Sequence, residues 1–314
     1  MRVIRTLKDV EPPFAGGAVA VGNFDGVHVG HARLIERLRA RSREIGGPAV
    51  VFTFDPHPVR LLRPEQCPPP LTWTERKAEL LARLGVDALI AYPTDAELLS
   101  HSAEEFFDEI LRGRLAARAL VEGPNFRFGH DRAGDVALLE EMCGRHGLSL
   151  DVVEPVVLEG EIVSSSRIRR LIAIGEVGQA NRWLTAPYRV RGMVTHGAGR
   201  GSQLGFPTAN LEGIDTLLPA HGVYAGWGHS GIESRPAAVN IGPNPTFGEH
   251  AVKVEAHLIG LEGTLYGDIL ELDLLERLRD IRPFPSREAL AEQLARDVER
   301  TLEIGREFGE RCSL

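Results

Sequence analysis

Apolar residues follow two patterns along the chain, and the first pattern occupies the residues before about 184. Short apolar runs, which are typical of buried strands, alternate there with segments whose apolar residues recur at helical spacing. The predicted strands are residues 18–21, 49–54, 88–91, 119–121 and 148–153, and the predicted helices include 74–84, 103–111, 135–146 and one ending at Trp183. This alternation predicts an α/β unit with a parallel, doubly wound sheet, in which ligands bind at the carboxyl ends of the strands.

The second pattern begins at Pro187, which cannot continue a helix. Five β-rich runs follow at residues 188–195, 222–228, 236–241, 252–259 and 269–274, separated by turns with glycine and proline. Closely spaced strands predict a small antiparallel barrel. An amphipathic helix is predicted from Ser286 to about Phe308. We therefore expect two domains, covering residues 1–186 and 187–314.

Composition limits the classes of function. The 314 residues suit two domains, and 43% hydrophobic and 25% charged residues are ordinary for a globular protein. The net charge of -8 argues against general binding of nucleic acid. Only three residues are lysines, Lys8, Lys77 and Lys253. The sequence therefore predicts that anions are recognised by arginines, imidazoles and backbone N–H groups.

Cysteine usage and apolar runs bear on the compartment. Cys67, Cys143 and Cys312 are widely spaced, so they favour reduced thiols over a disulfide framework or a zinc site. The first eight residues lack the apolar core of a signal peptide, and no apolar run approaches the ~18–20 residues of a membrane span. We expect a cytoplasmic protein without a membrane partner, and the sequence leaves a homo-oligomer open.

The stretch from Val21 to His31 carries the first candidate chemistry. It joins a predicted strand to a predicted helix and holds three glycines and two imidazoles, in the order Gly22, Asn23, Phe24, Gly26, His28, Gly30 and His31. Glycines allow backbone to approach a ligand closely, and a helix start favours phosphate. The stretch therefore predicts a cradle for nucleotide phosphates. The alternative is a tight turn whose histidines merely cap a helix.

Three further motifs in this half follow predicted strands or begin a helix. They are Pro56-His57-Pro58, Asn125-Phe126-Arg127, and the helix start Ser164, Ser165, Ser166, Arg167 and Arg169. Prolines make a rigid lip, aromatic rings can contact a planar ligand, and serines at a helix start can donate to phosphate oxygens. The alternatives are a strand stop, a buried loop with a surface arginine, and an ordinary N-cap with arginines in solvent.

The second half contains a loop rich in glycine and a carboxylate in a strand. Gly199, Arg200, Gly201 and Gly205 could cradle phosphates, although the Walker lysine is absent. Thr208 and Asn210 are neutral oxygen donors two residues apart, as Mg²⁺ prefers. Glu255 could remove a proton from a poor nucleophile. A flexible surface loop and an outward-facing strand carboxylate are the alternatives.

These motifs carry a resemblance to a known family. His28-Val29-Gly30-His31 resembles the HxGH signature of nucleotidyltransferases, and its surroundings resemble the adenylyltransferase half of the bifunctional riboflavin kinase/FMN adenylyltransferase family. Pro207-Thr208-Ala209-Asn210 resembles the PTAN signature of riboflavin kinases. Residues 240–247 and 254–257 match two further family motifs, and the resemblance extends from residue 18 to about 300.

The resemblance implies a Rossmann-like nucleotidyltransferase domain followed by a riboflavin kinase barrel. The barrel would convert riboflavin and ATP to FMN with Mg²⁺, and the first domain would convert FMN and ATP to FAD and pyrophosphate. Catalysis of adenylyl transfer would be positioning and charge neutralisation, because the FMN phosphate is already ionised. The resemblance implies that His28, His31, Ser165 and Arg169 stabilise the transition state and that Glu255 is the kinase base.

The remaining roles also follow from the resemblance. Pro56, His57, Pro58, Asn125, Phe126 and Arg127 would bind flavin, Thr208 and Asn210 would bind the metal, and ATP would contact Gly22, Asn23, Phe24, Gly26, Ser164, Ser165, Ser166, Arg167, Gly199, Arg200, Gly201 and Gly205. Residues 278–284 depart from the frequent Arg-x-Glu-x-x-Phe form and receive no role. Two alternatives stay open: a riboflavin kinase whose first domain only binds nucleotide, and a flavin-binding carrier or regulator.

Overall fold

A parallel sheet and a closed barrel lie in separate units of the chain. A computed structural model describes residues 1–11, 14–197, 200–231, 233–243, 246 and 252–312, without the side chains of residues 200, 203 and 310–312. The first unit comprises Met1–Pro68 and Thr72–Ser164, and the second comprises Pro69–Leu71 and Ser165–Leu314. No helix in these described ranges is long and apolar enough to cross a membrane.

The sheet of the first unit has six parallel strands in the order β1-β4-β3-β2-β5-β6. They are β1 (Arg2–Ile4), β2 (Ala18–Val21), β3 (Ala49–Phe54), β4 (Ala88–Tyr92), β5 (Ala119–Glu122) and β6 (Ser149–Val152). Strands β2 and β5 are fully buried, as expected for a sheet covered on both faces. The chain moves outward from β2 in one direction and resumes at β5 on its other side. The β2–β5 seam is therefore the switch point at which such sheets bind ligands.

Helices surround this sheet largely where the sequence predicts them. They are α1 (Val29–Ile45), α2 (Pro58–Leu62), α3 (Thr74–Arg83), α4 (Ala96–Ser100), α5 (Ala103–Glu105) and α6 (Val136–His146). Helix α5 continues as a wider π-helical segment, Phe106–Arg114, so the predicted helix at 103–111 is longer than its pattern indicated. Ser102 forms the predicted capping box with Glu105, and Asp135 caps α6 as expected.

The second unit contains a closed antiparallel barrel with the strand order β10-β13-β12-β11-β14-β9. Its strands are β9 (Tyr188–Thr195), β10 (Ala209–Glu212), β11 (Gly222–His229), β12 (Ser234–Gly242), β13 (Lys253–Leu258) and β14 (Ile269–Arg279). A two-stranded hairpin, β7 (Val157–Leu158) with β8 (Glu161–Ile162), belongs to the first unit. Alternate residues of β13 are buried, which places Val254, Ala256 and Leu258 in the barrel core.

The described residues of the second unit form four helices: α7 (Ser165–Ala173), α8 (Val177–Trp183), the short α9 (Arg200–Gln203) and the terminal α10 (Arg287–Cys312). The single helix predicted to end at Trp183 is wrong, because Gly175 adopts φ +88° and separates α7 from α8. Asn181 of α8 donates to the Leu274 carbonyl of the barrel at 2.8 Å. Helix α8 packs on the barrel and α7 packs on α8, so both belong to the second unit, and the functional boundary near residue 186 stays a prediction.

Candidate active sites

His28 and His31 form a stacked pair where α1 begins. Their ring centroids lie 3.6 Å apart with an interplanar angle of 15°. The pair is also a reciprocal cap: the His31 amide donates to His28 Nδ1, and the His28 amide donates to His31 Nδ1, both at 3.2 Å. Because each Nδ1 accepts a backbone N–H, each neutral ring carries its proton on Nε2. The two histidines therefore do cap the helix, as the alternative interpretation held. The same hydrogen bonds also orient two Nε2–H donors.

Burial keeps both imidazoles neutral at physiological pH. Burial lowers the pKa of His28 to about 4, although the nearby Asp25 carboxylate opposes the shift. Burial also lowers the pKa of His31 well below its usual 6.5, and the charges of His28 and Lys77 act in the same direction. The pair is thus suited to donate hydrogen bonds to phosphate oxygens without first gaining a proton.

Gly30 is required by the close approach of the His28 ring. A Cβ at this position would lie 3.0 Å from both Cε1 and Nδ1 of His28. Phe24, with φ +46°, is buried and lies beside His31 with ring centroids 5.0 Å apart. Any larger residue at position 30 would displace the imidazole pair.

The loop before α1 is fastened to the segment that precedes α3. The buried Asp25 carboxylate accepts hydrogen bonds from the Thr72 amide at 3.1 Å and from the Thr72 hydroxyl at 3.2 Å. The same hydroxyl accepts the Gly26 amide at 3.2 Å. Gly26 therefore adopts φ +80° in the turn, and its N–H is hydrogen-bonded within the protein.

A cavity of about 430 Å³ opens at the carboxyl ends of β2, β3 and β5. Of the predicted flavin residues, His57, Pro58, Asn125, Phe126 and Arg127 line it, and Pro56 is outside its lining. Gly22 and Asn23, predicted to contact ATP, line the same cavity. Its size is within the ~300–1,000 Å³ of small-molecule sites.

Aromatic rings form one wall of this cavity. Phe126 stacks on Phe128 with centroids 5.4 Å apart and an interplanar angle of 11°, and Phe54 and Phe106 also contribute. Asn23 Oδ1 is buried and has no hydrogen-bond partner within the described part of the chain.

A buried carboxyl group, that of Glu122, links strands β2 and β5 beneath this cavity. Strands β2 and β5 pair only through Ala18–Ala119 and Val19–Leu120. Beyond that point Glu122 Oε1 accepts the Val21 amide at 2.7 Å in place of a backbone carbonyl. Burial raises the pKa of Glu122 well above its usual 4.5, and the Val21 hydrogen bond opposes the shift.

The predicted phosphate motif at residues 164–169 is split by the division of the chain. Ser164 ends the first unit, and Ser165 begins α7 in the second. Ser166 is exposed, whereas Arg167 and Arg169 are half-buried. Arg169 Nε donates to the Pro69 carbonyl of its own unit at 3.2 Å. The role of this motif in phosphate binding stays a prediction.

The glycine-rich segment of the second unit lies against Thr208 and Asn210. A Cβ on Gly197 would meet the Asn210 side-chain amide at 2.1 Å, and one on Gly201 would lie 3.3 Å from Thr208 Oγ1. Gly205 has φ +85°. Gly199 lies outside the described residues, and Arg200 is described only by its backbone at the start of α9.

Glu255 lies at the centre of a row of polar side chains on the barrel. Its register partners are Asn210 on β10 and Asn240 on β12. Paired residues on adjacent strands share a face, so all three side chains project on the side opposite the core. His257, two residues along β13, donates through Nδ1 to the Pro207 carbonyl at 2.7 Å. The structure thus brings Thr208, Asn210 and Glu255 to one region, and their roles in metal binding and proton transfer stay predictions.

Several of these residues were not predicted from the sequence. Asn240 received no role, although it is the polar member of an alternating strand opposite Glu255. The hydrogen bonds between Asp25 and Thr72 were also not predicted, because residues 47 positions apart carry no local signal. Of the family motif at residues 240–247, residues 240–243 and 246 are described, and residues 244, 245 and 247 lie outside the described residues.

Comparisons with known proteins match a different family to each half of the chain. A family described as FAD synthetase matches residues 12–167, and one described as riboflavin kinase matches residues 184–304. The bifunctional riboflavin kinase/FMN adenylyltransferase of Pseudomonas fluorescens is 36% identical over 299 residues, covering 95% of this chain and 96% of the relative. The Escherichia coli K12 protein of the same name is 32% identical over 302 residues, with the same shares.

A solved structure has the same fold over nearly the whole chain. The Streptococcus pneumoniae structure titled as a macrolide-efflux protein superposes with a TM-score of 0.85 at 31% identity, covering 95% of this chain and 97% of that one. Both family matches, both curated relatives and the geometry of the two sites lead to one conclusion: the chain belongs to the bifunctional riboflavin kinase/FMN adenylyltransferase family.

Proposed function

We propose that the barrel phosphorylates the 5′-hydroxyl of riboflavin with ATP, and that the first unit transfers the adenylyl group of a second ATP to FMN, releasing pyrophosphate. The observation that carries the second reaction is the aromatic cavity at the β2–β5 switch point, whose lining includes the loop that leads to the stacked histidines. One continuous segment, residues 22–31, therefore lines the cavity proposed for the planar flavin and leads to the helix start proposed to bind phosphate.

The cavity suits FMN in shape and charge. Phe126 and Phe128 offer a stacked aromatic wall for the flavin ring. Arg127 and Arg132, which also line the cavity, can attract the phosphate. Pro56 precedes the lining residue His57, and its carbonyl accepts the Thr94 hydroxyl.

Adenylyl transfer requires two anions to approach each other at the α-phosphorus of ATP. The Nε2–H groups of His28 and His31 can donate to phosphate oxygens as charge moves toward the leaving pyrophosphate. Neutral imidazoles are sufficient, because the FMN phosphate needs no general base. Arg169, with Ser164, Ser165, Ser166 and Arg167, is proposed to contribute further phosphate contacts, as the sequence predicted.

Riboflavin phosphorylation needs a base, because the ribityl hydroxyl is a poor nucleophile. Glu255 can accept that proton, and Asn210 and Asn240 on either side of it can orient the carboxylate or the substrate. Gly199, Arg200, Gly201 and Gly205 belong to the segment proposed to hold the ATP phosphates.

The donor set at Thr208 and Asn210 fits Mg²⁺. Both are neutral oxygen donors, and both lie against glycines that leave no room for another side chain. When bound, the ion neutralises phosphate charge on ATP. Thr208 and Asn210 would hold it, while Glu255 keeps its separate task of accepting the proton.

The sequence left two alternatives open, a first domain that only binds nucleotide and a flavin carrier. A flavin carrier would not require Glu255 beside Thr208 and Asn210. A first unit that only binds nucleotide would use the same Nε2–H pair, so the products formed from FMN distinguish it from an adenylyltransferase. Cys67 and Cys143 are free thiols among the described residues, in keeping with our proposal of a cytoplasmic enzyme whose partners are riboflavin, FMN and ATP.

Product analysis tests the proposal. The purified chain is incubated with ATP and Mg²⁺, and either riboflavin or FMN is supplied, with separation of flavins by chromatography. We expect FMN and then FAD from riboflavin, and FAD with pyrophosphate from FMN. Accumulation of FMN without FAD would instead establish the kinase-only alternative, and unchanged bound flavin would establish the carrier.

A further inference from the structure

The start of α3 is held against the carboxyl ends of two sheet strands. Thr72, just before this helix, is bonded twice to Asp25 in the loop after β2. Thr74, its first residue, donates through its hydroxyl to Asp55 Oδ2 at 2.7 Å, directly after β3. The first turn of α3 is therefore fixed beside the loop that ends at the histidine pair.

Lys77 lies one turn into this helix, three residues after Thr74, so both side chains are on one helix face. The Lys77 side chain is only 8% exposed. Within the described ranges its ammonium group makes no hydrogen bond and no ion pair within 4 Å. Its neighbour Arg76 is 3% exposed but does have a partner, Glu79, at 2.6 Å. Burying a cation without a partner costs free energy, so the position of Lys77 needs an explanation.

The groups whose charges act on Lys77 identify its surroundings. Burial lowers the pKa of Lys77, and the Asp25 and Asp55 carboxylates oppose that shift. In turn the charge of Lys77 contributes to the low pKa of His31. Lys77 is therefore electrostatically coupled to the loop after β2, the strand end of β3 and the imidazole pair.

We propose that the Lys77 ammonium contacts a phosphate oxygen of the nucleotide during adenylyl transfer, beside His28 and His31; this inference rests on the proposed function. An incoming phosphate supplies the hydrogen-bond acceptors that the protein withholds from this group. Because only three lysines occur in the chain, the sequence predicted that anions would be bound by arginines, imidazoles and backbone N–H groups. One of those three lies at the site where phosphate charge must be neutralised.

The competing explanation is a purely structural one, in which Lys77 only balances Asp25 and Asp55. The two explanations predict that replacing Lys77 impairs the binding of different ligands. A structural counter-ion supports the loop after β2 and hence FMN binding in the cavity. A phosphate ligand supports ATP and pyrophosphate, and leaves the cavity for FMN intact.

The test compares Lys77→Met and Lys77→Arg with Lys8→Met, the same change at an exposed lysine. FAD formation from supplied FMN gives kcat and KM for ATP, thermal shifts with added pyrophosphate report anion binding, and flavin fluorescence reports FMN binding. Riboflavin phosphorylation by the same chain is an internal control for protein concentration.

We expect K77M to bind FMN as the unmodified chain does, to lose the pyrophosphate shift, and to lower kcat/KM for ATP about 10- to 100-fold, the range for losing a hydrogen bond to a charged group. K77R should recover part of that loss, and K8M should change nothing. Unchanged ATP kinetics in K77M would overturn the inference, as would loss of FMN binding in both K77M and K77R. If the unmodified chain forms no FAD at all, the proposed function itself fails.

Discussion

Replacing Gly30 with alanine should slow FAD formation without destabilising the first unit. The added Cβ would lie 3.0 Å from two atoms of the His28 ring, closer than the 3.4–4 Å of ordinary contact. The ring must therefore move by a few tenths of an ångström, and the stack at 3.6 Å with His31 moves with it. Alanine should not weaken α1, because glycine is the poorer helix former by up to ~1 kcal/mol.

The expected loss of rate follows from the size of this movement of the His28 ring. A misplacement of about 1 Å costs roughly 100-fold in rate, so a shift of about half that size should cost roughly 10-fold. We expect Gly30→Ala to lower kcat for FAD formation by about this factor, with the unfolding temperature equal or higher and the formation of FMN from riboflavin unchanged. The assay is chromatographic quantification of FAD from supplied FMN.

The matched control is Gly144→Ala, a glycine within α6 whose Cβ would meet nothing within 4 Å. It should gain helix stability and leave both reactions unchanged. If Gly30→Ala formed FAD at the unmodified rate while folding normally, the exact placement of the imidazole pair would not matter, and the proposed role of His28 would be refuted.

Two further predictions concern stability. Arg189, whose side chain is 12% exposed, forms a two-pronged pair with the 3%-exposed Asp273. Because His229 also bonds this carboxylate, Arg189→Met should destabilise the barrel by about 1–3 kcal/mol in denaturant unfolding, and an unchanged free energy of unfolding would contradict this. Because burial raises the folded-state pKa of Glu122 above 4.5, its ionisation opposes folding as pH rises from 4.5 toward that folded pKa. Glu122→Gln should therefore leave the unfolding temperature nearly unchanged at pH 4.5 and raise it at pH 7.5, and a pH-independent difference would contradict this.

The sequence predicted those elements whose signals are local. Central strands such as Ala18–Val21 and Ala49–Phe54 are continuous apolar runs, and Ser102 and Asp135 are recognisable helix caps. Strand β1 was missed because two of its three residues are exposed and lack an apolar pattern. Strand β10, Ala209–Glu212, was interpreted only as a binding motif because it is short and polar.

The site residues show the same distinction. The spacing of His28 and His31 and the alternation of Thr208 and Asn210 can be seen in the sequence, and the structure places each pair together. The position of Lys77 could not be predicted, because its proximity to the histidine loop depends on hydrogen bonds between Asp25 and Thr72 and between Asp55 and Thr74. Long-range ties of this kind leave no periodic pattern.

The central claim is that one chain holds two independent sites for two successive reactions on flavin. The most direct test measures both reactions in two variants, His28→Ala with His31→Ala, and Glu255→Gln. The account predicts that the double histidine variant still converts riboflavin to FMN but forms no FAD, and that Glu255→Gln forms FAD from supplied FMN but no FMN from riboflavin. Loss of both reactions in either folded variant, or retention of the reaction assigned to the altered residues, would contradict it.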